Sequence, residues 1–343
     1  MLNGEPFTRY CLRALYPFAH EIIVVEGGHE QTTAVTTPDG HSIDGTLESL
    51  RRFQAEEDPE HKVQVVTRDG HWPMLDELGR CRTSQSRAYA EQASGDYLWQ
   101  IDIDEFYQPD AMQRMIDLLG ADKRIAAASF MQRTFWGGLD YWVDSWRLRR
   151  ALRQCHRLFK WGPGYTYLTH EPPTVLDSDG VDLRSRRWLS GRITERMGVE
   201  MYHYSLLLPK QVREKCLAYR EEQPEMASEI VEWSQTSYFK LGRPYHVHNL
   251  YRSPSWLMRY RGTHPPQIRL MMEDIAAGRT VAELRDLQDA DRLVASGPYN
   301  AGIQALRVAD YLDRGVHATL DTARRTKAAL VESLGGSETS ERL

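Results

Sequence analysis

Apolar positions in the first half of the chain follow two alternating periods. Phe7, Cys11, Leu12 and Leu15 fall on one face at helical spacing, with Pro6 before them and Pro17 closing the segment. Glu21-Ile-Ile-Val-Val-Glu26 is a short unbroken apolar run ending at Gly27-Gly28, the pattern of a buried strand. Asp44-Gly45 leads into a helix carrying Leu47 and Leu50, and Lys62-Val-Gln-Val-Val66 reads as the next strand. Residues 80–94 are helical in pattern and stop at Gly95, and Asp96-Tyr-Leu-Trp-Gln-Ile101 is a strand. Pro109 opens a helix with Met112, Met115, Ile116 and Leu119 on one face, and Ile125-Ala-Ala-Ala-Ser-Phe-Met131 is a further strand.

Strands alternating with helices predict an α/β fold with a mostly parallel central sheet flanked by helices. From about Trp136 the pattern changes to aromatics and arginines broken by Pro and Gly, and beyond Pro209 it is mainly helical. The expected division is a nucleotide-binding and catalytic domain over 1–208, a helical extension over 209–334 on the acceptor side, and a disordered tail over 335–343.

Composition narrows the function classes. The 343 residues carry a net charge of -5, which argues against a nucleic-acid partner. The four cysteines, Cys11, Cys81, Cys155 and Cys216, are scattered without a C-x-x-C pair, so zinc-ribbon and thioredoxin-like readings lack their signature and reduced thiols in the cytoplasm are expected. No apolar run has transmembrane length, so any membrane contact is expected to be peripheral.

The segment richest in chemistry is Trp99-Gln-Ile-Asp-Ile-Asp-Glu-Phe-Tyr107, where an apolar strand runs into three carboxylates. Asp102 and Asp104 are two apart and point to the same side in extended geometry. Carboxylates held together repel unless a cation stands between them, and a hard divalent ion, Mn²⁺ or Mg²⁺, suits oxygen ligands. Such an ion neutralises a departing nucleoside diphosphate. The competing reading is a solvated acidic turn before the next helix.

Gly95-Asp96-Tyr97 followed by Asp102-Ile103-Asp104 resembles the Gly-Asp-Tyr strand and DxD motif of the family 2-like glycosyltransferases with a GT-A, Rossmann-like fold. Asn3-Gly4-Glu5-Pro6 resembles the loop after that family's first strand, and Glu21–Gly28 its second strand. Asp44-Gly45-Thr46 resembles the Asp-Gly-Thr that normally follows at once; here residues 29–43 intervene. The likeness covers about the first two hundred residues. The first strand is nearly absent, with only Met1-Leu2 before Asn3: either the chain starts on a strand stub or it starts late.

The resemblance implies that Asn3, Glu5, Glu26, Gly27, Asp44 and Asp102 contact the nucleotide, with Glu26 replacing the usual Asp. It implies that Asp102, Asp104 and a later histidine, His203, hold the metal, and that an acidic residue, Glu171, is the base of an inverting reaction. His170 beside Glu171 is the alternative base, and His264, in a loop leading into a helix, approaches the diphosphate. The expected reaction moves a sugar from a UDP- or GDP-type donor to a hydroxyl of a glycan, a lipid-linked glycan or a small molecule. The alternatives are a nucleotide-sugar-binding protein of the same fold without turnover, and a sugar nucleotidylyltransferase, whose Gly-rich pyrophosphate loop is missing. Arg147, Arg149, Arg150, Arg153 and Arg157 form a basic run that reads as a solvated helix face or a diphosphate contact.

Overall fold

The computed structural model describes residues 1–73, 83–148, 154–249 and 253–314. The start of the 80–94 segment, Cys81, Arg149, Arg150, Arg153 and the 335–343 tail lie outside the described residues. The chain divides into two compact units, Met1–Ala290 and Asp291–Leu343. All strands described below belong to the first; the second is helical over 297–314.

The expected elements of the first half form where their patterns place them. Helix α1 (Phe7–Leu15) buries Phe7, Tyr10, Cys11 and Leu12. Strand β1 (Ile22–Val25) pairs in parallel with β2 (Val63–Val66), and between them in sequence lies α2 (Thr46–Glu56). Leu12, Ile22, Val24, Leu50, Phe53 and Val63 close this layer as one apolar cluster. Helix α3 (Thr83–Ala90) precedes the short strands β3 (Tyr97–Trp99) and β4 (Glu105–Phe106), which flank the acidic turn. Helix α4 (Pro109–Ala121) follows, with Pro at its first position.

The expectation of a mostly parallel, Rossmann-like sheet is overturned. The main sheet is mixed and is built around one long strand, β5 (Ile125–Trp136). Its parallel neighbours are β10 (Arg187–Leu189) and β11 (Glu200–Leu206). Its antiparallel neighbours are β6 (Tyr141–Ser145) and β7 (Gln154–Lys160). The remaining pairs of this sheet, β3 with β7, β4 with β11, and β6 with β12 (Ser255–Arg259), are also antiparallel. The physical reason lies at Gly137-Gly138. A parallel return needs a crossover of a dozen or more residues, whereas the few residues between β5 and β6 can only fold back as a hairpin. A separate hairpin, β8 (Thr166–His170) with β9 (Pro173–Leu176), packs beside it.

The unbroken apolar start of β5 has a clear cause. Ile125, Ala128 and Phe130 belong to one apolar cluster with Met112, Met115 and Leu119 of α4. Ala126 and Ala127 belong to a second with Tyr167, Val175 and Leu183, so successive positions of the strand are all covered. The far end carries an aromatic stack: Phe135 lies against Tyr202 and Tyr204 at ring separations of 5.9 and 4.8 Å. Beyond the sheet, α5 (Gly191–Arg196) precedes β11, and α6 (Pro209–Glu222), α7 (Ala227–Trp233), α8 (Pro266–Ala276) and α9 (Gln288–Ala295) form the helical part. That part is interrupted by β12, which joins the main sheet, so the region after Pro209 is not purely helical. Among the described residues no helix is long and apolar enough to cross a membrane.

Phe135 is fully buried and touches four rings, Tyr202, Tyr204, Tyr260 and His264. Phe135→Ala is expected to cost about 3–5 kcal/mol, read as a lowered urea midpoint at unchanged slope. A loss under about 1 kcal/mol contradicts this packing.

Candidate functional site

The acidic turn is shaped by its neighbours. Strand β3 ends at Trp99, and the chain turns so that the Glu105 amide donates to the Asp102 carbonyl at 2.9 Å. It then enters β4, which is only two residues long. In its pairing with β11, Glu105 stands opposite His203 and Phe106 opposite Tyr202. The Tyr204 amide donates to the Asp104 carbonyl at 2.8 Å, extending the ladder by one step. This pairing brings His203 Nε2 to 3.6 Å from Asp104 Oδ1, although the two are far apart in sequence.

Each carboxylate has a protein cation. Arg157 on β7 donates to Asp102 Oδ2 at 2.8 Å and also bonds Glu105. Asp104 Oδ2 accepts from Lys215 Nζ at 2.7 Å and from Gln211 Nε2 at 2.8 Å. Gln211 and Lys215 are one helical turn apart on α6 and so share a face. Burial pushes the Asp104 carboxyl up, but Lys215 and His203 outweigh it and hold it below the usual aspartate range. Burial works against the Lys215 charge, and Asp104 more than restores it. Burial pushes Glu105 upward, Asp102 adds to the push, and Arg157 opposes it. Burial depresses His203 to about 4 despite Asp104, so its imidazole is neutral at pH 7.

Of these groups, Asp102, Asp104, His203, Gln211 and Lys215 border a cavity of about 790 Å³. Of the residues expected at the site, Asn3, Glu5, Gly27, Asp102, Asp104 and His203 line it, together with Gln211, Lys215 and His248. Gly27 has φ +115, and a Cβ there would meet the Gly40 carbonyl and the Trp72 ring at 3.1 Å, so the backbone approaches this closely only as glycine.

The other expected residues serve different contacts. Glu26 is fully buried, and its carboxylate takes the Ser42 amide at 2.8 Å and His41 Nδ1 at 2.7 Å. It therefore holds down the 29–43 segment. Asn3 does the same, bonding the Val35 carbonyl and the Ile43 amide at 2.8 and 2.9 Å. Asp44 accepts from the Glu5 amide and from Lys210, both at 3.0 Å. His170 Nδ1 lies 2.8 Å from Ser86 Oγ, and Glu171 is exposed at the turn between β8 and β9; neither is among the residues lining the cavity. His264 Nε2 donates to the Leu139 carbonyl at 3.0 Å while Nδ1 accepts from the Tyr204 hydroxyl at 2.8 Å, a neutral tautomer built into the aromatic stack.

Three participants carried no clear sequence signal. Lys215 and Gln211 sit in an otherwise ordinary helix, and their i, i+4 spacing acquires meaning only once Asp104 faces it. Arg157 belonged to the basic run, but it lies on a strand with its side chain 12% exposed rather than on a solvated helix face.

Among the described residues no three His, Cys, Asp or Glu side chains form a metal-binding group. The arrangement nevertheless fits a hard cation in one way. Asp104 Oδ1 and a neutral His203 Nε2 face each other, and Mg²⁺-type ions are held by one or two carboxylates plus substrate phosphates rather than by a full protein cage. No family model matches the chain. No curated protein matches it significantly.

His264 has its pKa lowered to about 4 by burial, against 6.5 for a free histidine. A depressed histidine stabilises the fold above its unfolded pKa, and that contribution is lost as pH falls from about 6.5 toward 4. Thermal midpoints are therefore expected to fall across this window in the unaltered chain and to fall less steeply in His264→Gln. Equal slopes would contradict a buried neutral imidazole.

Proposed function

We propose that the chain is a glycosyltransferase that takes a sugar from a nucleoside-diphosphate donor, of UDP or GDP type, and moves it to an acceptor hydroxyl with inversion. The observation that supports this reading is the meeting of Asp102, Asp104 and His203 with Lys215 on one wall of a cavity large enough for such a donor. The resemblance of Gly95-Asp96-Tyr97 and Asp102-Ile103-Asp104 to family 2-like glycosyltransferases points the same way.

Asp104 and His203 would hold Mn²⁺ or Mg²⁺, which when bound neutralises the charge of the departing diphosphate. The chain's own residues do the rest. Lys215 and Arg157 place fixed positive charge beside the carboxylates, so a diphosphate enters a balanced rather than a repelling site. Glu5 and Gly27 border the same cavity and shape the nucleotide's space. The resemblance alone, and not the cavity lining, assigns the proton of the acceptor hydroxyl to Glu171, which is exposed at the hairpin turn, as that oxygen attacks the anomeric carbon. Inversion follows from attack opposite the diphosphate.

One observation favours a second reading, in which Lys215 does the cation's work and the protein binds nucleotide without a metal. Lys215 already occupies Asp104 Oδ2 at 2.7 Å. The two readings part on Lys215→Met. If a divalent ion is required, Lys215→Met frees a carboxylate oxygen and keeps or tightens Mn²⁺-dependent UDP or GDP binding. If Lys215 stands in for the ion, that variant loses binding and Mn²⁺ does not restore it.

Asp104→Ala is expected to weaken Mn²⁺-dependent binding of UDP or GDP at least tenfold, about 1.4 kcal/mol, by calorimetry, with the fold intact by circular dichroism. Glu171→Gln is expected to keep that binding and lose donor hydrolysis or transfer. Undiminished binding in Asp104→Ala would sink the proposal, and full turnover in Glu171→Gln would remove the base.

A further inference from the structure

The second unit, Asp291–Leu343, carries helix 297–314, which is apolar on two sides. One side is buried. Tyr299 and Ile303 lie on it, and it continues to Asp310, also buried, which pairs with Arg314 at 3.1 Å. The other side faces solvent and inverts the usual pattern of a surface helix, whose exposed side is polar. Between 301 and 312 every exposed side chain except Gln304 is apolar. Val308, Tyr311 and Leu312 are 58%, 72% and 60% exposed. A contiguous apolar strip of this kind, unlike single scattered residues, marks a surface that another surface covers.

The spacing of the strip points to its occupant. Ala301, Ala305, Val308 and Leu312 follow one another at steps of four, three and four, the heptad order of a coiled-coil seam. Ala309 and Tyr311 flank that seam, at the positions where pairing helices commonly carry the charges that select a partner. The charges of this stretch, Arg307, Asp310, Asp313 and Arg314, all lie off the seam and its flanks and cancel one another. An anionic membrane therefore meets no excess of basic residues here, and an acidic or basic protein meets no counter-charge. A like face does fit. Laid antiparallel across a two-fold axis, the seam sets Ala301 of one copy against Leu312 of the other, and Ala305 against Val308. Small then faces large in each layer, whereas a parallel pair would set alanine on alanine and leave gaps.

We propose that the exposed side of helix 297–314 is a self-association surface, which takes the same helix of a second copy of this chain in antiparallel order. Mutual burial of the two strips would remove about 1,000 Å² from water, the lower end for a specific interface, so the dimer depends on concentration.

Sedimentation equilibrium of the full chain over a concentration series tests this, with two variants beside it. The unaltered chain is expected to pass from monomer to dimer as concentration rises. Val308→Glu puts a carboxylate into the seam. It is expected to weaken dimerisation about tenfold or more, with the thermal midpoint of the dilute monomer unchanged. Ala305→Lys combined with Val308→Glu sets lysine against glutamate between copies in antiparallel order only, and is expected to restore the dimer. An unaltered chain that stays monomeric throughout would overturn the proposal, as would a Val308→Glu dimer of undiminished strength. Failure of the double variant to recover the dimer would overturn the antiparallel order. A dilute-monomer midpoint lowered by Val308→Glu would mean that the chain covers this face itself. Sedimentation of the unaltered monomer with phosphatidylserine vesicles would give the face to a membrane. Either of these results also overturns the proposal.

Discussion

Two aspartates within one turn, beside a buried glutamate whose carboxyl burial pushes up to about 8, cannot both stay charged without opposite charge close by, and much of the site's architecture answers that constraint. Arg157 reaches in from β7 and Lys215 from α6, each to a different aspartate. The balance has consequences for chemistry. Asp104 stays ionised with the Lys215 ammonium beside it, and His203 stays neutral because burial overcomes Asp104. A charged acid and an uncharged imidazole side by side are the forms in which both offer lone pairs, which is the requirement for sharing a cation.

The short β4–β11 pairing makes that juxtaposition possible. Its register sets Glu105 against His203, and a shift by one residue would turn the imidazole to the other face of the sheet. The stack of Phe135, Tyr202, Tyr204, Tyr260 and His264 behind it fixes β11 from the core side. The polar site is therefore held by apolar contacts one residue away on the same strand.

The first half of the fold was legible because its periods are local: α1, β1, α2, β2 and α4 lie where their apolar spacing puts them. Strand direction was not legible, because it depends on connection length and partner choice. Gly137-Gly138 was the available hint that β5 folds back on itself. At the site, Asp102, Asp104 and His203 carried motif-level signals, and all three line the cavity. Glu26 and Asn3 were expected at the nucleotide, yet their side chains bond the 29–43 segment, and sequence order alone does not distinguish those two uses. Lys215 and Gln211 were invisible because a helix's own pattern does not name the group that its polar face meets.

The central claim is that Asp104 Oδ1 and His203 Nε2 form the open face of a cation site for a nucleoside diphosphate. Crystals grown with Mn²⁺ and UDP, and separately with GDP, and measured at the manganese absorption edge test it most directly. The account predicts an anomalous peak bonded to both atoms, with diphosphate oxygens completing its shell. Nucleotide bound with no peak there, or a peak elsewhere while His203 stays unligated, would contradict it.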